Sequence, residues 1–138
     1  MSPREATPSA PETGLHCHGV SARYGSLLAC ESIDLDVLPG ELLALIGPNG
    51  AGKTSLVGAL NGTVSGAGSI ELDGVRLDGL PAWRRVGVGL STVPDNRGLF
   101  PSLSIGENLR LSALLTPKQR RAESLDDAVG LFPFLRTH

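Results

Sequence analysis

Gly47-Pro48-Asn49-Gly50-Ala51-Gly52-Lys53-Thr54 constrains this chain more than any other stretch of it. Gly47, four intervening residues and then Gly52-Lys53-Thr54 spell a phosphate-binding loop, with a further glycine at Gly50. Glycines let the backbone curl so that several N–H groups converge on one anion. Lys53 brings a point charge to the β- and γ-phosphates of a nucleotide, and the Thr54 hydroxyl is placed to hold Mg²⁺. The flanks agree with that reading. Leu42-Leu43-Ala44-Leu45-Ile46 runs apolar without alternation, the pattern of a strand buried on both faces. Leu56, Ala59 and Leu60 recur at helical spacing, and Gly62 supplies a stop. Strand, loop and helix in that order aim the helix N-terminus at the phosphates. The alternative is an ordinary Gly-rich turn between a core strand and a helix.

At 138 residues the chain is long enough for one small domain and short for a complete nucleotide hydrolase. Twelve Lys+Arg stand against 14 Asp+Glu, a formal net charge of -2, which argues against a surface that grips nucleic acid or anionic lipid by charge alone. No apolar run reaches the length of a membrane span. Residues 1–14 are rich in Pro, Ser, Thr and Ala and read as a disordered tail rather than a secretory signal. The two cysteines, Cys17 and Cys30, suggest a reducing compartment. His16-Cys17-His18 is not expected to close on a metal, since alternate residues of a strand face opposite sides.

Strands are expected at Leu15 to Tyr24, at Ser32 to Val37 and at Ser69 to Leu72, the last turning through Asp73-Gly74 into Val75-Arg76-Leu77. Pro81 opens a short helix through Trp83, Arg84 and Arg85, and Leu90 to Val93 returns as a strand that breaks at Pro94. Trp83-Arg84-Arg85 reads as a packed tryptophan beside a solvated face rather than a nucleic-acid stacking patch. Ser104-Ile105-Gly106-Glu107 and Thr116-Pro117-Lys118-Gln119 are capping boxes for two helices. Leu125, Ala128, Val129 and Phe132 form one apolar face of the second, which Pro133 ends. These elements compose an α/β nucleotide-binding core with an antiparallel β flank and the start of a helical subdomain.

With the loop, these residues make the chain resemble the ATP-binding subunit of an ABC transporter over residues 15 to 138. Pro39-Gly40-Glu41, Ile46 to Thr54 and Asp73-Gly74 stand where that family has them. Gly79-Leu80-Pro81 with Arg84-Arg85, Val93-Pro94-Asp95 with Arg97, and Leu99 to Ser104 with Glu107-Asn108-Leu109 are similar to the branched-chain amino acid importers in particular. The resemblance implies a P-loop NTPase core that binds ATP and Mg²⁺. By position it implies that Tyr24 stacks on the adenine (the alternative being an aromatic that fills the sheet flank), that Gly47, Asn49, Gly50, Ala51, Gly52, Lys53, Thr54 and Ser55 hold the phosphates, and that Asp95 stands at the Q-loop position near Mg²⁺. Asp95 departs from the family's Gln or Glu by a shorter arm, and equally reads as a turn residue before Asn96-Arg97-Gly98.

The partners implied are a second ATPase subunit and transmembrane permease subunits reached through the Asp95 loop, at the cytoplasmic face of the plasma membrane, with no nucleic acid. The family's Leu-Ser-Gly-Gly type signature, Walker B strand, catalytic Glu and switch His are not found before His138. The chain therefore reads as the N-terminal, truncated part of the domain, with no catalytic residue of its own and no turnover alone. Rival readings are a non-catalytic nucleotide-binding remnant or regulator, the ATPase subunit of a sugar importer, and a chromosome-maintenance ATPase. The last needs heptads that are absent.

Overall fold

A computed structural model describes residues 13–95, 98–114 and 116–137, with the backbone alone at 136 and 137. Residues 1–12 of the expected tail, Asn96, Arg97 and His138 lie outside it. The chain divides into two compact units, one ending at Leu90 and the other beginning at Ser91.

In the first unit β1 (Leu15–Tyr24) and β2 (Leu27–Val37) form a hairpin. Tyr24 pairs with Leu27 across a turn in which Gly25 adopts a positive φ of 59°. The second strand thus begins five residues before the expected Ser32, because the Gly25-Ser26 turn is short enough to carry pairing up to its edge. β3 (Ser65–Leu72) pairs with the other side of β1, and the short β4 (Val75–Arg76) pairs with β3, giving the antiparallel order β2-β1-β3-β4. Asp73 and Gly74 both have positive φ, 49° and 77°, the turn that an Asp-Gly pair favours. Upstream of β1, Gly14 is buried and exchanges two hydrogen bonds with Asp73, so order begins ahead of the strand.

Between the hairpin and β3 comes α1 (Lys53–Asn61), ended by Gly62 in the left-handed conformation as expected. Its inner face supplies Leu56 and Ala59 to a core shared with Cys17, Val20, Ala22, Ile70 and Leu77. Burial pushes the Cys17 thiol up to about 11, with the Asp36 and Asp78 carboxylates adding to the effect. The neighbouring His16 is also buried, its ring hydrogen-bonded to Asp36 and to the Thr13 carbonyl, while His18 is exposed.

Two expected strands do not form. Leu42 to Ile46 pairs with no strand among the described residues and is exposed, 94% at Leu42 and 92% at Ile46. Leu90 to Val93 is likewise without strand pairing. Leu42 to Ile46 has the apolar composition of a central strand, but a strand is buried by neighbours on its edges and faces, and no described strand pairs with it. Leu90 to Val93 is half polar, and of its residues Leu90 packs against the core while the other three are exposed.

α2 (Ala82–Val88) follows Pro81. Trp83 on it is 63% exposed, which corrects the expectation of a packed ring; the Arg84 guanidinium lies 5.0 Å from its centre and provides cover instead.

The second unit contains α3 (Ile105–Ala113) and α4 (Arg121–Leu131). Ser104 and Glu107 form the expected capping box at α3, and Asn108 bonds the Phe100, Leu103 and Ser104 carbonyls, tying the preceding loop to the helix. The box expected at Thr116 does not form. Pro117 leads into a 3₁₀ turn, Lys118–Arg120, without a side-chain cap, and the helix starts at Arg121. Leu125, Ala128 and Val129 are half-buried and Phe132 is exposed, so the apolar face holds over three of its four positions.

Candidate nucleotide-binding site

The first unit carries one cleft that gathers most of the sequence-predicted residues. Asn49, Gly50, Ala51 and Gly52 of the loop form one wall with Lys53, Thr54 and Ser55 of the first turn of α1. Tyr24 also lines it, with Leu27, Leu28 and Ala29 from the start of β2. The cleft encloses about 470 Å³, within the range of small-molecule sites.

Local sequence explains the arrangement. Gly52 caps α1 at φ 84°, and a Cβ there would come within 2.5 Å of the Ala29 carbonyl oxygen. Only glycine lets the loop lie directly on β2 in that conformation. The contact sets the loop against the hairpin whose turn presents Tyr24. Half of the tyrosine surface remains exposed, so its ring is available to a planar ligand rather than used up as filling for the sheet flank.

Charge in the cleft is one-sided. The first-turn amides of α1 have no partner within the helix, and α1 has no acidic residue in its first turn to offset the positive end of its dipole. The Lys53 ammonium folds back over the loop, donating to the Gly47 and Pro48 carbonyls at 2.7 Å each. Gly47 therefore enters the site through its carbonyl and not as part of the cleft wall. Such a set of donors suits an anion, and an apolar wall with an aromatic edge suits a base: the residues present fit a nucleoside phosphate.

Asp95 belongs to the second unit, where it is exposed at a turn. No group of three His, Cys, Asp or Glu side chains that could hold a metal occurs among the described residues. A hydroxyl such as that of Thr54 completes a Mg²⁺ shell together with phosphate oxygens and water rather than alone.

Sequence reasoning missed Leu27, Leu28 and Ala29, although the Gly25-Ser26 turn was the signal that would have extended β2 to them. It also read Arg85 as part of a solvated face, whereas the side chain is buried against α1.

The family model of the ABC transporter matches residues 30–138. A high-affinity branched-chain amino acid transport ATP-binding protein, BraG of Pseudomonas aeruginosa, is 36% identical over 118 residues, covering 85% of this chain and 51% of the relative. A fructose import ATP-binding protein, FrcA of Rhizobium meliloti, is 40% identical over 103 residues, covering 74% of this chain and 40% of the relative. A solved structure of the ATP-binding subunit of an ABC transporter superposes with a TM-score of 0.62 at 29% identity, over 78% of this chain and 45% of that one. The chain spans about half the length of the curated relatives it matches. On the breadth of the family match, the chain belongs to the ABC transporter family, and what it holds of that family belongs to the ATP-binding domain.

Proposed function

We propose that residues 15–138 are part of an ABC-type nucleotide-binding domain that binds MgATP and couples it to import, with branched-chain amino acids as the cargo class. The observation that carries this reading is the cleft of about 470 Å³ that Tyr24 and the glycine loop line together. In this proposal Tyr24 stacks on the adenine, and Leu27 to Ala29 exclude water from one edge of it. The amides from Asn49 to Ser55 take the phosphates, Lys53 exchanges its loop carbonyls for phosphate oxygens, and the Thr54 hydroxyl approaches Mg²⁺. Bound, the nucleotide supplies the phosphoryl bond whose cleavage by the complete subunit drives transport.

The wording shared with branched-chain importers and the similarity to BraG support the cargo class. The similarity to FrcA favours a second reading, a sugar importer. The partners proposed are a second ATP-binding subunit and membrane permease subunits. No helix among the described residues is long and apolar enough to cross a membrane, and the proposed location is peripheral, at the cytoplasmic face through the permease.

Titration with a fluorescent ATP analogue and Mg²⁺ tests the site. Lys53→Ala is expected to abolish binding, because the charged contact to the β- and γ-phosphates is lost. Equal affinity for both chains overturns the assignment.

A further inference from the structure

α1 is held at both ends, and the far end is held by a residue that the nucleotide reading does not use. Arg85 of α2 is 6% exposed. Its Nη1 donates to the Ala59 carbonyl at 2.8 Å and to the Leu60 carbonyl at 2.6 Å, and its Nε donates to the Leu80 carbonyl at 2.8 Å. One planar guanidinium thus joins the last turn of α1 to the corner between β4 and α2.

The last carbonyls of a helix have no partner within it and form the negative end of its dipole. α1 carries no basic residue in its own last turn, so Arg85 supplies the charge from 25 residues away. The gap is shaped for it. Gly62 takes a φ of 81°, and a Cβ there would come 2.9 Å from Arg85 Nε. Burial opposes the guanidinium charge, and the Asp78 carboxylate works against that loss. A packed apolar side chain would fill the same space without bridging two elements.

We propose that Arg85 is a positioning residue for the phosphate-binding loop, fixing the first-turn amides of α1 by anchoring the opposite end of the helix. At 1.5 Å of rise per residue the two ends are only about 12 Å apart, on one short rigid rod. A change of tilt at Ala59 and Leu60 therefore reaches Lys53, Thr54 and Ser55. Donors that must converge on one anion lose strength when displaced by even about 1 Å. The proposal rests on the reading of the cleft as a nucleotide site.

The test compares the chain with Lys53→Ala, Arg85→Lys and Arg85→Ala, using a fluorescent ATP analogue with Mg²⁺, while hydrogen exchange follows the amides of α1 and β1. Arg85→Lys, a point charge unable to bridge three carbonyls, is expected to weaken binding about tenfold, and Arg85→Ala more. Millimolar methylguanidinium is expected to return most of the affinity lost in Arg85→Ala and to leave the parent chain unchanged. In Arg85→Ala the amides of Leu56 to Leu60 exchange faster while those of Cys17 to Ala22 keep their protection. Parent affinity in a folded Arg85→Ala overturns the proposal, and so does a loss that methylguanidinium does not return. Should Arg85→Ala fail to fold, parent affinity in Arg85→Lys overturns it and the tenfold loss supports it. Equal binding by the parent and Lys53→Ala sinks the nucleotide reading instead; the anchoring of α1 is then judged by exchange alone, and unchanged α1 protection in Arg85→Ala overturns that.

Discussion

β1 and the run Leu42 to Ile46 lie in the same unit and reverse what their compositions promise. β1 includes two histidines, a serine and an arginine, yet Cys17, Val20 and Ala22 on it are fully buried. The second run is five apolar residues, and its first and last stand almost entirely in solvent. What separates them is company. β1 has β2 on one edge, β3 on the other and α1 over one face, so its backbone groups are paired and its small apolar residues covered. Leu42 to Ile46 has no ladder partner among the described residues. Hydrophobicity decides what a segment gains from burial, and topology decides whether the burial is on offer.

The sharpest way to break this contrast is to delete matched side chains from the two environments. Leu77 is fully buried directly after β4, inside the cluster that holds Ile70 and Leu56. Leu77→Ala is expected to cost about 3 kcal/mol, the lost transfer of the side chain plus the cavity it leaves. Denaturant unfolding of the first unit measures it. A loss below about 1 kcal/mol would mean that this core relaxes freely and that its burial says little about stability.

The same contrast explains what the sequence made legible. Features set by a few neighbouring residues were for the most part readable: the Gly62 stop, the Asp73-Gly74 turn and the Ser104-Glu107 box form as expected, and the box at Thr116 is the exception. Features set by distant partners were not. Leu42 to Ile46 reads as buried only if a neighbour is assumed. The carbonyls that define the environment of Arg85 lie 25 and 26 residues upstream of it, and no local pattern announces them. Most of the cleft was found because most of its chemistry is contiguous in sequence. Its apolar wall was missed because Leu27 to Ala29 has neither alternation nor charge, and only the hairpin turn brings it to the loop.

A smaller effect, sharper in kind, comes from acid. Burial pushes the Asp78 carboxyl up, but hydrogen bonds from the Ile70 amide and from Arg76, with the nearby charges of Arg76 and Arg85, outweigh it and hold the group below its ordinary 3.8. A carboxyl held down in the folded chain stabilises it above the unfolded value and stops doing so as pH falls through the lower folded one. Stability of the first unit is therefore expected to decline as pH drops below about 4, with a shallower decline in Asp78→Asn. Glu107, held down by Ser104, gives the second unit its own acid dependence, so exchange is read at the Ile70 amide and its β3 neighbours. An identical slope in Asp78→Asn would show that this carboxylate does not fasten the β3–β4 corner.

The smallest expected effect is the most informative about the exposed run. Leu42→Ala and Ile46→Ala remove the same kind of side chain as Leu77→Ala, from a segment where it touches little. Each is expected to change the unfolding free energy by less than about 0.5 kcal/mol, the usual range for surface positions. Replacing both by Ser is expected to lower light scattering and the binding of an apolar dye, because a contiguous exposed patch favours association. An unfolding loss of more than about 2 kcal/mol in either alanine variant would place the side chain against a partner in solution, since that is the cost of truncation in a packed environment. The distinction between β1 and this run would then lie in which neighbour each one meets, not in whether it has one. Dilution separates the two ways of meeting it: a loss that fades as the chain is diluted comes from contact between copies, and one that persists comes from within the chain.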